Sequence, residues 1–123
     1  MAWNLDSNRP IYLQLQEELE LRIVTGTYPP GSQLPGVRVL AQEAAVNPNT
    51  MQKAFQELER SGLVFAQRTS GRFVTEDEEM INELRLHLAM EQAKAYLAGM
   101  KKLGLSKEEA LELAAKAEKE DAQ

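Results

Sequence analysis

The chain contains no cysteine, so disulfides, thiolate metal sites and cysteine nucleophiles are excluded from the start. That absence also fits a reducing compartment, and a cytoplasmic protein is expected. It contains a single histidine, His87. Ser7, Ser32, Ser61, Ser70 and Ser106 therefore have no histidine nearby to activate them. Neither a glycine-rich phosphate loop nor a paired-acid motif is present, so the sequence presents no enzyme and no catalytic residues. No apolar run approaches the ~18 residues that a membrane helix requires. The opening Met1-Ala2-Trp3-Asn4 lacks the basic and apolar regions of a signal peptide. His87 lies four residues from both Glu83 and Glu91, a spacing that makes a helix-surface ion pair rather than a ligand set. No metal and no cofactor is expected.

What is present is a mixture typical of a folded domain: 43% apolar and 27% charged residues in a chain of 123. The net charge of −5 is unevenly placed. Residues 1–75 carry seven Lys and Arg against seven acids, whereas residues 76–123 carry seven basic residues against twelve acids. The acidity belongs to the tail, and a local basic face on the first part remains open.

The hydrophobic spacing divides the chain in the same place. Ile11, Tyr12, Leu15, Leu19 and Ile23 recur at helical intervals, and Gly26 ends that helix. Tyr28-Pro29-Pro30-Gly31 is a turn. A second helix follows Pro35-Gly36, with Leu40, Ala41 and Ala44 facing inward. A third begins at Asn47-Pro48, a good N-cap followed by proline at the first helical position, where its missing N–H costs nothing. Gly62 stops it. Val64-Phe65 and Phe73-Val74 flank Arg68-Thr69-Ser70-Gly71 as two short strands of a hairpin. Helix, helix, turn, helix and hairpin in that order predict a winged helix-turn-helix over residues 1–75, mainly α with a small β wing.

The first turn of the third helix presents Asn49, Thr50, Gln52 and Lys53. Short amides, a hydroxyl and an ammonium are the groups that bond base edges and phosphates. Arg38 opens the second helix, and Arg68 and Arg72 flank the wing, where a narrow minor groove attracts arginine. Double-stranded DNA is therefore the expected partner. A pairing of Arg38 with Glu43 is the plain alternative for that arginine. For the whole domain the alternative is a winged-helix protein-interaction module that does not bind DNA.

From Thr75 the pattern changes. Thr75 and Glu78 have capping-box spacing, so a long helix is expected to start near Glu76 and to run to about Leu103. Ser106 and Glu109 repeat the spacing and open a last helix carrying Leu111, Ala114 and Ala117. Residues 76–123 thus read as a two-helix hairpin. Ile81, Leu84, Leu88, Met90, Leu97 and Met100 form an apolar face too wide for one short partner helix. A second copy of the chain is the expected cover, making the tail a dimerisation region.

Six runs then carry a resemblance. They are Pro10-Ile11-Tyr12-Leu13-Gln14, Gly26-Thr27-Tyr28-Pro29-Pro30-Gly31, Leu34-Pro35-Gly36-Val37-Arg38-Val39-Leu40-Ala41, Asn47-Pro48-Asn49-Thr50, Leu58-Glu59-Arg60-Ser61-Gly62-Leu63 and Gly71-Arg72-Phe73-Val74. Together they resemble the GntR-type bacterial transcription regulators over residues ~9–75, and the short tail is similar to the YtrA-like branch. The resemblance implies a homodimeric DNA-binding repressor, with a small-molecule effector of unspecified chemistry left open. It places Arg38, Asn47, Asn49, Thr50, Gln52, Lys53 and Gly71 at or beside DNA; Pro48 at the helix start and Arg68, Ser70 and Arg72 in the wing complete the expected DNA-binding set on the reading of the residues themselves. Gly36 stands where the family usually has serine, and Thr69 where the wing usually has a first glycine.

Overall fold

The structure is a computed structural model and describes residues 3–122. Its elements are α1 (Ile11–Val24), α2 (Val37–Ala44), α3 (Pro48–Arg60), β1 (Val64–Gln67), β2 (Gly71–Val74), α4 (Glu78–Lys102) and α5 (Lys107–Asp121). They form two compact units, one reaching to Leu84 and the other beginning at Arg85.

In the first unit α3 is the central element, packed against both α1 and α2. Leu15, Leu19, Leu40, Met51, Ala54, Phe55 and Leu58 are almost wholly removed from solvent. Apolar burial of this kind stabilises by about 25 cal/mol per Å². Ile23 of α1 is buried with them. The α2–α3 turn depends on Ala45, which caps α2 in the left-handed region at φ 61°, ψ 49°. This region is strained for any side chain with a Cβ.

The wing pairs β1 with β2 in antiparallel register, Val64 opposite Val74 and Gln67 opposite Gly71. It also has a third participant that the hydrophobic pattern does not announce. Gln33 bridges Phe73, the Leu34 N–H donates to the Arg72 carbonyl at 2.8 Å, and the Val74 N–H donates to the Ser32 carbonyl at 2.9 Å. The turn after α1 thereby continues into a short edge along β2.

The start of α4 differs from the expected capping box. The helix begins at Glu78, and its cap is Asp77, whose Oδ1 accepts from the Met80 N–H at 3.1 Å. Thr75 Oγ1 accepts instead from the Asp77 N–H at 3.1 Å, so the threonine shapes the approach to the cap. Ile81 also departs from its expected role. It is buried, at 4% exposure, within the first unit, which leaves it no surface for a partner. The first unit accordingly reaches past the expected boundary at Thr75.

In the second unit the Ser106–Glu109 capping box forms in full and opens α5. Tyr96 donates its hydroxyl to the Ala110 carbonyl at 2.6 Å, and Ala110 is buried. Leu111 and Leu113, by contrast, are exposed, as are Leu86, Met90 and Leu103.

Candidate nucleic-acid interface

The sequence of α3 separates its two sides sharply. Asn47 Oδ1 accepts from the Asn49 N–H at 2.7 Å, satisfying one of the free donors at the helix start. Pro48 occupies the first helical position. From there Asn49 and Lys53 are exposed and Thr50 and Gln52 half-buried, while Met51, Ala54, Phe55 and Leu58 turn into the core. The buried face holds the helix so that its polar first turn is fixed at the surface. Lys53 is further steadied by Tyr12 of α1, with Nζ 3.9 Å from the ring centroid.

Charge pairing explains how residues 1–75, neutral in sum, can still present cations free of ion pairs. The carboxylates of α2 and α3 are all matched within the chain: Glu43 to Arg22, Glu57 to Arg60 and Glu59 to Arg72. On α1, Glu17 pairs with Arg9 and Glu18 with Arg22. Arg38, Lys53 and Arg68 remain as exposed cations of the first unit with no ion pair among the described residues. They stand on α2, on α3 and in the wing turn. The alternative pairing of Arg38 with Glu43 does not form.

Glu43 is instead held by Trp3 and Arg22. The Trp3 indole donates to Glu43 Oε2 at 2.6 Å, and Arg22 Nη2 donates to the same oxygen at 2.8 Å. These two hydrogen bonds, Trp3 first, hold the Glu43 carboxyl below the usual range. Burial opposes the charge on Arg22, but hydrogen bonds with Tyr28, Glu18 and Glu43 outweigh it and raise its pKa.

Arg72 is placed differently from the other wing arginine. Its Nε bonds Glu59, its guanidinium lies 5.0 Å from the centroid of Phe55, and only 23% of its side chain is exposed. Arg72 therefore ties β2 to α3, whereas Arg68 stands exposed at the tip. Ser70 closes the wing turn through its N–H to the Gln67 carbonyl at 3.2 Å, and Gly71 follows at φ 105°, a conformation that favours glycine. At the start of α2, Gly36 makes no side-chain cap. Sequence reasoning missed Gln33, whose side-chain amide donates to the Ser70 carbonyl at the wing tip. An isolated glutamine after a turn carries no periodic signal.

Among the described residues no group of three or more His, Cys, Asp or Glu could hold a metal, and no helix is long and apolar enough to cross a membrane.

A winged head with these polar residues at the start of α3 is what a family comparison has to match. The model of bacterial regulatory proteins, gntR family, matches residues 11–74, from the first residue of α1 to the last of β2. The chain belongs to the gntR family. It is a DNA-binding transcription regulator and not an enzyme. It is 36% identical over 89 residues to the HTH-type transcriptional repressor YtrA of Bacillus subtilis, spanning 72% of this chain and 68% of that one. A GntR family transcriptional regulator from Listeria monocytogenes superposes with a TM-score of 0.85 at 37% identity, covering 91% of this chain and 98% of that one. AraR(DBD), solved in complex with operator ORX1, superposes with a TM-score of 0.53 at 29% identity, covering 61% of this chain and 92% of that one.

Proposed function

We propose that this gntR-family regulator is a cytoplasmic homodimeric repressor that reads an inverted-repeat operator. The observation that carries the DNA-contact assignment is the set of exposed cations without an ion pair among the described residues, Arg38 on α2, Lys53 on α3 and Arg68 in the wing turn, together with the polar first turn of α3. In this reading α3 enters the major groove. Asn49 and Gln52 meet base edges, while Asn47 and Pro48 shape the helix start and Thr50 and Lys53 hold phosphates. Arg38 clamps the backbone beside the groove. Arg68, Ser70 and Gly71 reach the adjoining minor groove, and Arg72 braces the wing against α3. The likeness to the repressor YtrA supports the sign of regulation, and the likeness to AraR(DBD) on its operator supports duplex DNA as the partner.

The dimer is proposed from the tail. Within one chain, Leu86 is 60% exposed and Met90 56%, and Leu88, Leu97 and Met100 are only partly covered. Large apolar side chains gain from being covered, and a second copy supplies the same stripe by symmetry. Leu84 adjoins that seam in sequence, and Ile81 does not take part. Two identical heads then require two half-sites related by a dyad.

Selection of bound sequences from a random duplex pool tests this reading. A recovered motif with two inverted half-sites is expected. Recovery of no motif, with binding insensitive to salt, would leave a protein-interaction module as the better account.

A further inference from the structure

The wing is short and thinly supported at its tip. Each strand has four residues, and a two-stranded hairpin of that size is marginal by itself. Beyond the last ladder pair, Gln67 with Gly71, the turn is closed by the Ser70 N–H bond to Gln67. The Ser70 carbonyl lies in the turn outside the ladder pairs, and the amide of Gln33 donates to it. Gln33 is itself well anchored. Its backbone bridges Phe73, its neighbours Ser32 and Leu34 bond Val74 and Arg72, and Leu34 is buried. Two residues further on, Gly36 starts α2 and leads to Arg38.

We propose that Gln33 is the positioning residue of the wing: its side-chain amide clamps the Ser70 carbonyl and fixes Arg68 at the angle from which it meets DNA. The proposal rests on the reading that the wing contacts the duplex. Gln33 lies outside both the recognition helix and the hairpin, and it acts through the tip. In bulk water an exposed amide bond of this kind contributes little. Here it adds a second tie to a turn otherwise closed by the Ser70–Gln67 bond, so its effect falls on the order of the tip and not on the stability of the head. The clamp also gives Gly71 a second reason to be glycine. A Cβ there would stand 2.8 Å from Gln33 Nε2, so any side chain would push the clamp aside as well as strain the backbone.

The test uses Gln33→Met, which keeps the length of the side chain and removes its donor without adding charge. Affinity is measured on a duplex selected from a random pool by the unaltered protein, alongside Arg68→Ala and the double variant. Gln33→Met is expected to weaken binding by about threefold to tenfold. In the Arg68→Ala background it should change affinity by less than about twofold, because its effect passes through the wing. Backbone 15N order parameters of the free protein should fall at residues 68–71 only, with the melting temperature unchanged. A loss that adds fully to that of Arg68→Ala, or no loss at all, overturns the proposal. An equally rigid tip in Gln33→Met overturns the clamp whether or not DNA is bound. If the unaltered protein selects no duplex, the DNA-contact reading fails, and the order parameters still judge the clamp.

Discussion

Trp3 and Glu43 are 40 positions apart in the chain, yet the indole N–H meets the carboxylate at 2.6 Å. Arg22 completes the cluster, its guanidinium 4.6 Å from the Trp3 ring centroid and bonded to the same Glu43 oxygen. The N-terminal segment is thereby fastened to α1 and α2, and Glu43 is taken out of reach of Arg38.

Acid should release this fastening. Glu43 titrates below its ordinary value, so its stabilising contribution is complete above that value and is lost as pH falls through the lowered one. Trp3 is the sole tryptophan, and its fluorescence should change on the acid side of the ordinary glutamate range. Glu43→Gln should abolish that transition while leaving the neutral-pH fold intact. An unchanged acid transition in Glu43→Gln would assign it to another group.

The salt dependence of operator binding should count the unpaired cations. Arg38, Lys53 and Arg68 in each of two heads give a log–log slope of roughly −5, at about −0.9 for each phosphate contact. Arg38→Ala should make the slope shallower by about 2, because both subunits lose a contact. Arg72→Ala should weaken binding with the slope unchanged, since its charge is matched by Glu59. Titration of each variant at several salt concentrations checks this, and a shallower slope for Arg72→Ala would show that Arg72 itself holds a phosphate.

Base reading and anchoring should separate on α3. Asn49→Ala should relax preference at one or two positions of each half-site, costing on the order of 1–3 kcal/mol if the amide reads adenine. Lys53→Ala should weaken all duplexes alike. Competition between matched and mismatched duplexes distinguishes them, and equal selectivity for Asn49→Ala and the unaltered protein would remove Asn49 from the readers.

The tail should control dimerisation without controlling the head. Leu88→Glu places a carboxylate in the proposed seam, where burying an unpaired charge costs several kcal/mol. The variant should sediment as a monomer and keep the near-ultraviolet signature of the Trp3 cluster. Operator protection should nevertheless collapse, because one head makes half of the contacts. A dimer that still protects both half-sites would place the interface elsewhere.

The turn between α2 and α3 carries removable strain. Ala45→Gly relieves a Cβ at φ 61°, and should stabilise the head by about 0.5–1 kcal/mol after the added flexibility of the unfolded chain is discounted. Thermal melting measures the gain, with operator affinity expected to stay within about twofold. A lowered melting temperature would mean that the alanine methyl makes a contact worth more than the strain.

Local chemistry by itself determined much of this protein. Asn47-Pro48 as a helix start, Gly62 as a helix stop, and the inward spacing of Leu15, Leu19, Ile23, Leu40, Ala41 and Ala44 depend on neighbours within a few residues, and the structure shows all of them. The polar tip of α3 was legible for the same reason, since the residues left outside a buried stripe must face water. Tertiary structure decided what depends on distant partners. It set Glu43 on Trp3 and Arg22, placed Arg72 between Glu59 and Phe55, and buried Ile81 in the head. It also brought Gln33 to the carbonyl of Ser70, 37 positions away. Charges and amides have no period that reports their partners, and only the folded chain determines which of them meet.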